Sequence, residues 1–396
     1  MKFRYLLAIL ALFLIAACNP DEDTVYRESN DLSVKLIPLK PYSEDLVPLP
    51  DGSVITTCRV DRKWDYYLAK IYPDGTVDSF DYCFLNSDQS NADEVPGCLR
   101  SNAKSEIFID NSQLRAANKY RLIKLDRNLN TIFDISGRLG NPDYSIVGNA
   151  ALNSGEYVFV TKYISWDDDA AEYFSFFLVS ADGVVGEEVV LPFLCGKENI
   201  SDVCCIGDEI LITYTFNYSV NKVCFLNPHD VSQYEVVNMD RSFDVFLCDS
   251  KGRILGCSTE YATIGYRYHV GSLNRDGSTL VSDLIVGNAL TCLYASGDDV
   301  LAVGYRILYS TDVISDVRYK GFIYDVDINT GAIKDSVIMD YGMKPFSLTS
   351  DGKGGYNLYL ERMFKYVDDA NHFNTSLDNI YIYNISDLHD LQFSSK

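Results

Sequence analysis

Residues 67–75 read Tyr67-Leu68-Ala69-Lys70-Ile71-Tyr72-Pro73-Asp74-Gly75, an extended run that ends in a tight turn. The same arrangement recurs at residues 176–183 and 269–277, where Asp-Gly again follows an apolar run. Asp-Gly is a strong turn signal because glycine adopts a positive φ without steric cost. Each copy therefore predicts a strand, a tight turn and a second strand.

This unit recurs along the chain. Looser copies bring the number to seven, with starts 47 to 59 residues apart. A second series of turns, such as Pro50-Asp51-Gly52 and Asn153-Ser154-Gly155, lies upstream of each copy. Together they predict a four-stranded meander repeated seven times. The units span residues 43–80, 95–135, 143–191, 201–239, 242–285, 288–338 and 344–394.

Repeated meanders of this size predict an all-β chain that closes into a β-propeller, most simply with seven four-stranded blades. Radial closure protects strand edges that would otherwise aggregate. Six or eight blades and a two-sheet sandwich are the alternatives. The segment Val34–Leu39 is an extra strand, which we expect to complete the outer edge of the last blade. The predicted propeller domain spans residues 33–396.

The amino terminus has the pattern of a secretion signal. Lys2 and Arg4 precede an apolar run that ends in small residues, and residues 1–17 are predicted to be a signal peptide. Ile15-Ala16-Ala17-Cys18 resembles the lipobox of bacterial lipoproteins, which implies acyl chains on Cys18 and a membrane anchor. Residues 18–32 then form a polar tether.

The acidic stretch Asp21-Glu22-Asp23 is similar to the export signal of Bacteroidetes surface lipoproteins. With the lipobox and the repeats, the chain resembles the β-propeller lipoproteins of Bacteroidetes. This resemblance implies a palmitoylated protein of the outer membrane, displayed at the cell surface. It implies a fold, not an activity.

Charge and composition narrow the classes of partner. Residues 1–17 contain two basic residues and no acid, so their removal changes the formal charge from −22 to −24. Such a charge argues against nucleic acid and anionic lipid as partners. The four histidines show no metal-ligand spacing with cysteine, so neither a metal nor a cofactor is predicted. Cys83 and Cys98, in a predicted loop, are the candidates for a disulfide, whereas most other cysteines lie in apolar runs typical of buried thiols.

The loops between second and third strands are long and contain both tryptophans of the chain. Tryptophan or tyrosine rings with neighbouring carboxylates suit sugar rings, so this side of the ring is the predicted ligand face. The alternative is that the tryptophans only cover the rim of the blades. The predicted ligand-face residues are Trp64, Trp166, Tyr266 and Arg267. Asp167–Asp169 and Asp368–Asp369 in these loops are either calcium ligands or solvated acids.

These features predict a binding or scaffold protein for a glycan, a peptide or an outer-membrane protein, with no recognisable catalytic set. The alternative is a glycosidase or polysaccharide lyase, in which two acids would converge at the axis with an arginine or a histidine. His269 is a candidate base for a lyase, or an ordinary surface residue. The acids near the starts of the predicted units are Glu44, Asp45, Asp143, Asp202 and Asp244.

Overall fold

A computed structural model describes residues 33–37, 46–59, 66–82, 98–110, 119–140, 143–163, 172–217, 219–249, 251–261, 266–283, 285–309, 317–362, 364–367, 373–376 and 380–391. Over these ranges the chain is β-structure with one short 3₁₀ helix, Leu388–Leu391. No helix there is long and apolar enough to cross a membrane. The all-β class is confirmed, whereas the predicted signal peptide, the tether and Cys18 lie outside the described residues.

Aspartate side chains hold the predicted tight turns. Oδ1 of Asp74 accepts the backbone N–H of Thr76 at 2.9 Å, and Oδ1 of Asp276 accepts that of Ser278 at 2.9 Å. The hydroxyl of Ser278 also donates to Asp276 and lowers the pKa of that carboxyl. In the same turn Gly277 has a φ of 84°, a conformation in which a Cβ atom is strained. The residues that signal these turns are therefore those that stabilise them.

Four sheets of four antiparallel strands follow the first described strand, β1 (Ser33–Ile37). In each sheet consecutive strands pair in chain order. Their strands are β2 (Val47–Pro48), β3 (Val54–Arg59), β4 (Tyr66–Ile71) and β5 (Val77–Tyr82); β6 (Cys98–Ser101), β7 (Ile107–Asp110), β8 (Lys119–Leu125) and β9 (Thr131–Arg138); β10 (Tyr144–Ala151), β11 (Tyr157–Tyr163), β12 (Tyr173–Val179) and β13 (Val185–Val190); and β14 (Glu198–Ile206), β15 (Glu209–Phe216), β16 (Val220–Leu226) and β17 (Tyr234–Asn238).

The fifth sheet has five strands, because two short strands share its outer position. The strand after the third-to-fourth turn pairs with one half of the third strand, and the next strand pairs with the other half. The strands of this sheet are β18 (Asp244–Cys248), β19 (Ile254–Tyr261), β20 (Tyr266–Leu273), β21 (Thr279–Val281) and β22 (Ile285–Gly287).

The remaining long strands form one eight-stranded sheet that also contains β1. It joins two meanders, and a separate short hairpin lies in the last of them. The strands are β23 (Ala289–Ser296), β24 (Asp299–Tyr309), β25 (Val317–Asp327), β26 (Ile333–Tyr341), β27 (Met343–Ser350), β28 (Tyr356–Arg362), the hairpin β29 (Phe364–Val367) and β30 (Phe373–Ser376), and β31 (Ile380–Ile385).

The chain is a β-propeller, but the prediction of seven separate blades is wrong. The described residues form five separate blades, and the last two predicted units share the eight-stranded sheet. Only Gly342 separates β26 from β27, and its N–H donates to the carbonyl of Tyr319 at 2.8 Å. So short a link holds Met343 beside Lys320, and one parallel bridge between them joins the two meanders.

The first strands of the meanders surround the axis. Each contacts the first strand of the next meander, and the last, β27, contacts the first, β2. The apolar core lies between neighbouring meanders; Val160 and Phe176 of the third sheet, for example, pack in one cluster with Ile212 and Cys224 of the fourth. Ring closure therefore buries both faces of each sheet.

Strand β1 joins the two ends of the chain. It pairs antiparallel with β31 over its whole length, from Ser33 opposite Asn384 to Ile37 opposite Ile380, at the outer edge where the extra strand was predicted. Ile37 is 2% exposed and lies in one apolar cluster with Val54 of the first sheet. The N-terminal strand is thus held by both the last meander and the first.

Buried lysines also tie neighbouring blades. Lys124 of β8 is 1% exposed, and its Nζ lies 3.0 Å from Glu106 Oε1 of its own sheet. The same Nζ donates to the carbonyls of Gly155 at 2.8 Å and Ala181 at 3.3 Å in two turns of the next sheet. Because a buried ammonium needs such partners, it fixes the position of one blade against the next.

Gly277→Ala should lower the free energy of unfolding by about 3 kcal/mol. The backbone at this position has a positive φ, and the new Cβ would clash with the carbonyl oxygen of Asn238 in the neighbouring sheet. Chemical denaturation measures the loss. The matched control is Gly297→Ala, at a φ of 65° with no atom within 4 Å of the added Cβ, for which we expect about 1 kcal/mol. Equal losses would show that the two sheets do not approach at this turn.

Ile37→Ala should cost about 3 kcal/mol in chemical denaturation, since it empties a buried position between the last meander and the first. Val77→Ala is the control, because Val77 is 37% exposed on the outer strand β5 and its truncation should cost less than about 0.5 kcal/mol. A loss for Ile37→Ala no larger than the control's would contradict closure through β1.

Candidate functional site

The meander arrangement gives the ring two different faces. Turns between first and second and between third and fourth strands lie at one end of each sheet, here the turn face. Connections between second and third strands lie at the other end, the long-loop face. Of the predicted ligand residues, Trp64 and Trp166 lie outside the described residues, as do Asp167–Asp169 and Asp368–Asp369.

Tyr266 and Arg267 lie on the long-loop face, but on a strand and not in the loop where they were predicted. Tyr266 pairs with Tyr261 and Arg267 with Glu260, so the β19–β20 ladder continues almost to the connection. Opposite charges at directly opposed positions favour the pairing of antiparallel strands. The second-to-third connection of the next meander is also flanked by long strands, because β24 reaches Tyr309 and β25 begins at Val317.

Both side chains are exposed. Tyr266 is 39% exposed, and its ring centroid lies 6.2 Å from that of Tyr268. Arg267 lies across the ladder from Glu260, but in the described structure the Glu260 carboxylate contacts His269 and forms no ion pair with the Arg267 guanidinium. Its guanidinium therefore keeps its N–H donors for solvent or for a bound group.

His269 is engaged in holding its own sheet together. Its Nδ1 lies 3.0 Å from the carbonyl oxygen of Ser282, and its Nε2 lies 3.3 Å from Glu260 Oε1. Because a carbonyl only accepts, Nδ1 carries the proton in this contact. A base must have a free nitrogen lone pair, and here Nε2 faces a carboxylate, which favours the structural interpretation of this histidine.

At the axis, Asp202 joins the first strands of two blades. Bulges interrupt the pairing of β14 next to Asp202 and of β18 next to Val245. The Asp202 carboxylate accepts the N–H of Val203 at 2.8 Å and also that of Val245. The acid thus binds both first strands beside their bulges.

Asp244 and Arg100 complete this axial cluster. The hydroxyl of Thr259 donates to Oδ2 of Asp244 at 3.3 Å. Burial raises the pKa of Asp202 and of Asp244; the charge of Asp244 raises the pKa of Asp202 further, while that of Arg100 opposes the increase. Two of the five acids singled out in the sequence therefore interact with each other at the axis, and Asp202 also interacts with Arg100. Glu44 and Asp45 lie outside the described residues, and Asp143 precedes β10.

The sequence analysis missed a second polar group inside the ring. Asp110 ends β7 and is 0% exposed; its Oδ2 accepts the Asn149 amide at 2.9 Å and the Tyr157 hydroxyl at 3.1 Å. A carboxylate directly after Ile107-Phe108-Ile109 was the available signal, since a buried acid requires partners. These contacts join the second blade to the third.

Cys58, Cys224, Cys257 and Cys292 are buried free thiols, and Cys98 is the first residue of β6, not a loop residue as predicted. Cys83 lies outside the described residues. Burial raises the pKa of Cys58 and Cys257 to about 12, so neither forms a thiolate nucleophile near neutral pH. Over the described ranges, no three His, Cys, Asp or Glu side chains are arranged to hold a metal ion.

Asp244→Asn should raise the Tm by about 2 °C at about pH 7.5 and leave it unchanged at about pH 3. A carboxyl whose pKa is raised by folding stabilises the fold fully below its unfolded pKa and loses that contribution as the pH rises through its folded pKa. The amide still accepts the Thr259 hydroxyl but carries no charge. Thermal unfolding at both pH values measures the effect.

The control for this experiment is Asp283→Asn, at an exposed position after β21, for which we expect a smaller change in Tm than for Asp244→Asn. A Tm for Asp244→Asn that falls at about pH 7.5 would show that the charge of Asp244 stabilises the axis.

No protein-family model and no curated protein matches the chain. Several solved structures are similar to it. An uncharacterized protein, lmo1340 from Listeria monocytogenes EGD-e, is 10% identical with a TM-score of 0.47, over 83% of this chain and 94% of that one. The β-propeller domain of the Trilobed protease from Pyrococcus furiosus is 12% identical with a TM-score of 0.42, over 75% and 84%. A prolyl endopeptidase is 12% identical with a TM-score of 0.44, over 85% of this chain and 55% of its own, so the chain spans little more than half of that enzyme. At these values the similarities carry no argument about function.

Proposed function

We propose that this chain is a lipid-anchored binding propeller, which recognises a glycan, a peptide or an outer-membrane protein partner through its long-loop face. The observation that carries the proposal is the contrast between Arg267 and the axial acids. Arg267 is exposed without an ion pair in the described structure, whereas Asp202 and Asp244 are already hydrogen-bonded to the protein. Available donors on one face of a rigid ring favour binding over chemistry.

The anchor and its location are part of the proposal. Cys18 in the lipobox is the acylated residue, and the acidic tether places the propeller at the outer face of the outer membrane. Several acyl chains hold a protein stably, at about 0.8 kcal/mol per buried methylene. Cys18→Ala should therefore move the protein from the membrane to the soluble fraction and abolish incorporation of labelled palmitate.

We also propose that the eight-stranded sheet acts as two blades, so that the ring has seven-fold pseudo-symmetry. Its two meanders are joined through one residue pair, and each contributes its own first strand to the axis. A seven-fold ring places seven second-to-third connections around the long-loop face.

The binding function is tested by tagging the C-terminus of the full chain, extracting it gently from membranes and identifying stoichiometric partners by mass spectrometry. In parallel the same material is screened against polysaccharides and peptides. We expect one specific ligand or partner, whose affinity falls about tenfold in Tyr266→Ala, about 1.4 kcal/mol. The control is Lys353→Ala, an exposed residue of the turn face. No ligand in either experiment, or equal losses in both variants, would contradict the proposal.

The second candidate is a carbohydrate-active enzyme that uses the axial acids. It is favoured by one observation, the interaction of two carboxyls of raised pKa at the axis, one of which, Asp202, also interacts with Arg100, because glycoside hydrolysis needs a protonated acid beside a second carboxylate. In that case a polysaccharide found in the screen would be cleaved, and Asp202→Asn and Asp244→Asn would abolish release of reducing ends while binding persists. Binding without turnover in the unmodified protein would exclude this candidate for that polysaccharide.

A further inference from the structure

The connection between the fifth sheet and β24 gathers basic residues on the long-loop face. Arg267 lies opposite Val286 in the β20–β22 pair, and Arg306 Nε donates to the carbonyl of that same Val286 at 2.6 Å. Arg267 is thus the strand partner of the residue whose carbonyl Arg306 binds, although the two arginines are 39 positions apart in the chain. We call Tyr266, Arg267, Arg306 and Lys320 the cationic rim.

Strand pairing adds Lys320 to this group. Lys320 is the direct partner of Arg306 in the β24–β25 ladder, so two cations lie opposite each other. Like charges at directly opposed positions destabilise antiparallel strands. In a chain with 56 acidic and 34 basic residues, three basic side chains at one seam also contrast with the average surface, and Glu260, which lies opposite Arg267, is already in contact with His269.

The arginines are held in different ways. Arg306 Nη2 also donates to the hydroxyl of Tyr324 at 3.0 Å, so its guanidinium is fixed by two protein oxygens. Arg267 is exposed, and its guanidinium fork keeps its donors, the geometry that binds a carboxylate through two parallel hydrogen bonds. The arrangement provides one pre-positioned cation and one available to a ligand.

Tyr266 supplies a flat surface next to Arg267. Its ring is exposed and adjoins that of Tyr268. An aromatic ring with one apolar face and a polar hydroxyl suits the C–H face of a sugar. A ligand that has both a carboxylate and the C–H face of a sugar ring is a uronic acid residue.

We propose that the cationic rim binds the carboxylate of an acidic saccharide, with the guanidinium of Arg267 on the carboxylate and the sugar ring against Tyr266. This inference rests on the proposed binding function of the same face and names its ligand class. The net charge of the protein repels polyanions at long range, so the ligand is a short oligouronide and not a densely charged polymer.

The test is calorimetric titration of the full chain in detergent with trigalacturonate and with its fully methyl-esterified form. We expect the acid to bind at least tenfold more tightly than the ester, because esterification removes the charge and leaves the sugar rings. Arg267→Gln should weaken binding of the acid about tenfold and leave binding of the ester unchanged. The control is Arg127→Gln, an exposed arginine in a turn on the opposite face. Unchanged Tm values verify that both variants fold.

Several results would overturn the inference without touching the proposed function. Equal affinity for acid and ester would show that the carboxylate is not recognised. Loss of acid binding in Arg127→Gln but not in Arg267→Gln would place the site on the turn face. Binding of a peptide through its C-terminal carboxylate, with no binding of trigalacturonate, would give the rim a different ligand class. If no ligand of any kind bound, and no partner co-purified, the proposed function itself would fail.

Discussion

The ring depends on one pairing, that of β1 with β31. It connects strands from opposite ends of the described chain and covers an edge that would otherwise be open. Because each meander buries its faces only against its two neighbours, a gap at this position would expose the first sheet and the last together. Ile37, the last residue of β1, packs with residues of the first sheet and is accordingly buried.

Closure also brings together polar groups that no single blade contains. Arg100, Asp202 and Asp244 belong to the first strands of three sheets, and their electrostatic interaction exists only when those strands surround one axis. Asp202 is tolerated there because backbone N–H groups of β14 and β18 donate to its carboxylate, and Asp244 because the Thr259 hydroxyl donates to it. The axial cluster therefore stabilises the ring. The same hydrogen bonds would also position the two carboxyls for catalysis.

The two faces of the ring differ in how their charges are used. On the turn face, aspartates accept backbone N–H groups and Lys124 donates to turn carbonyls, so these charged side chains stabilise the fold. On the long-loop face, Arg267 remains available and two further cations lie at the same seam. Binding scaffolds usually combine a rigid framework with a second face that carries the ligand-binding groups; here the turn face is the framework and the long-loop face carries the donors.

The sequence alone determined the local structure. Asp-Gly turns, the order of strands in each meander, the extra N-terminal strand and the presence of Tyr266 and Arg267 on the long-loop face follow from patterns a few residues long, because turns and pairing of adjacent strands are local. The tertiary structure decided the rest. The merging of the last two units depends on the one-residue link at Gly342, and the union of Asp202 with Asp244 depends on which first strands meet at the axis. Arg306 and Lys320 lie at the same seam as Arg267 only because the fifth sheet packs against β24 in the ring. These contacts link residues tens of positions apart, and strand periodicity carries no information about which blade faces which.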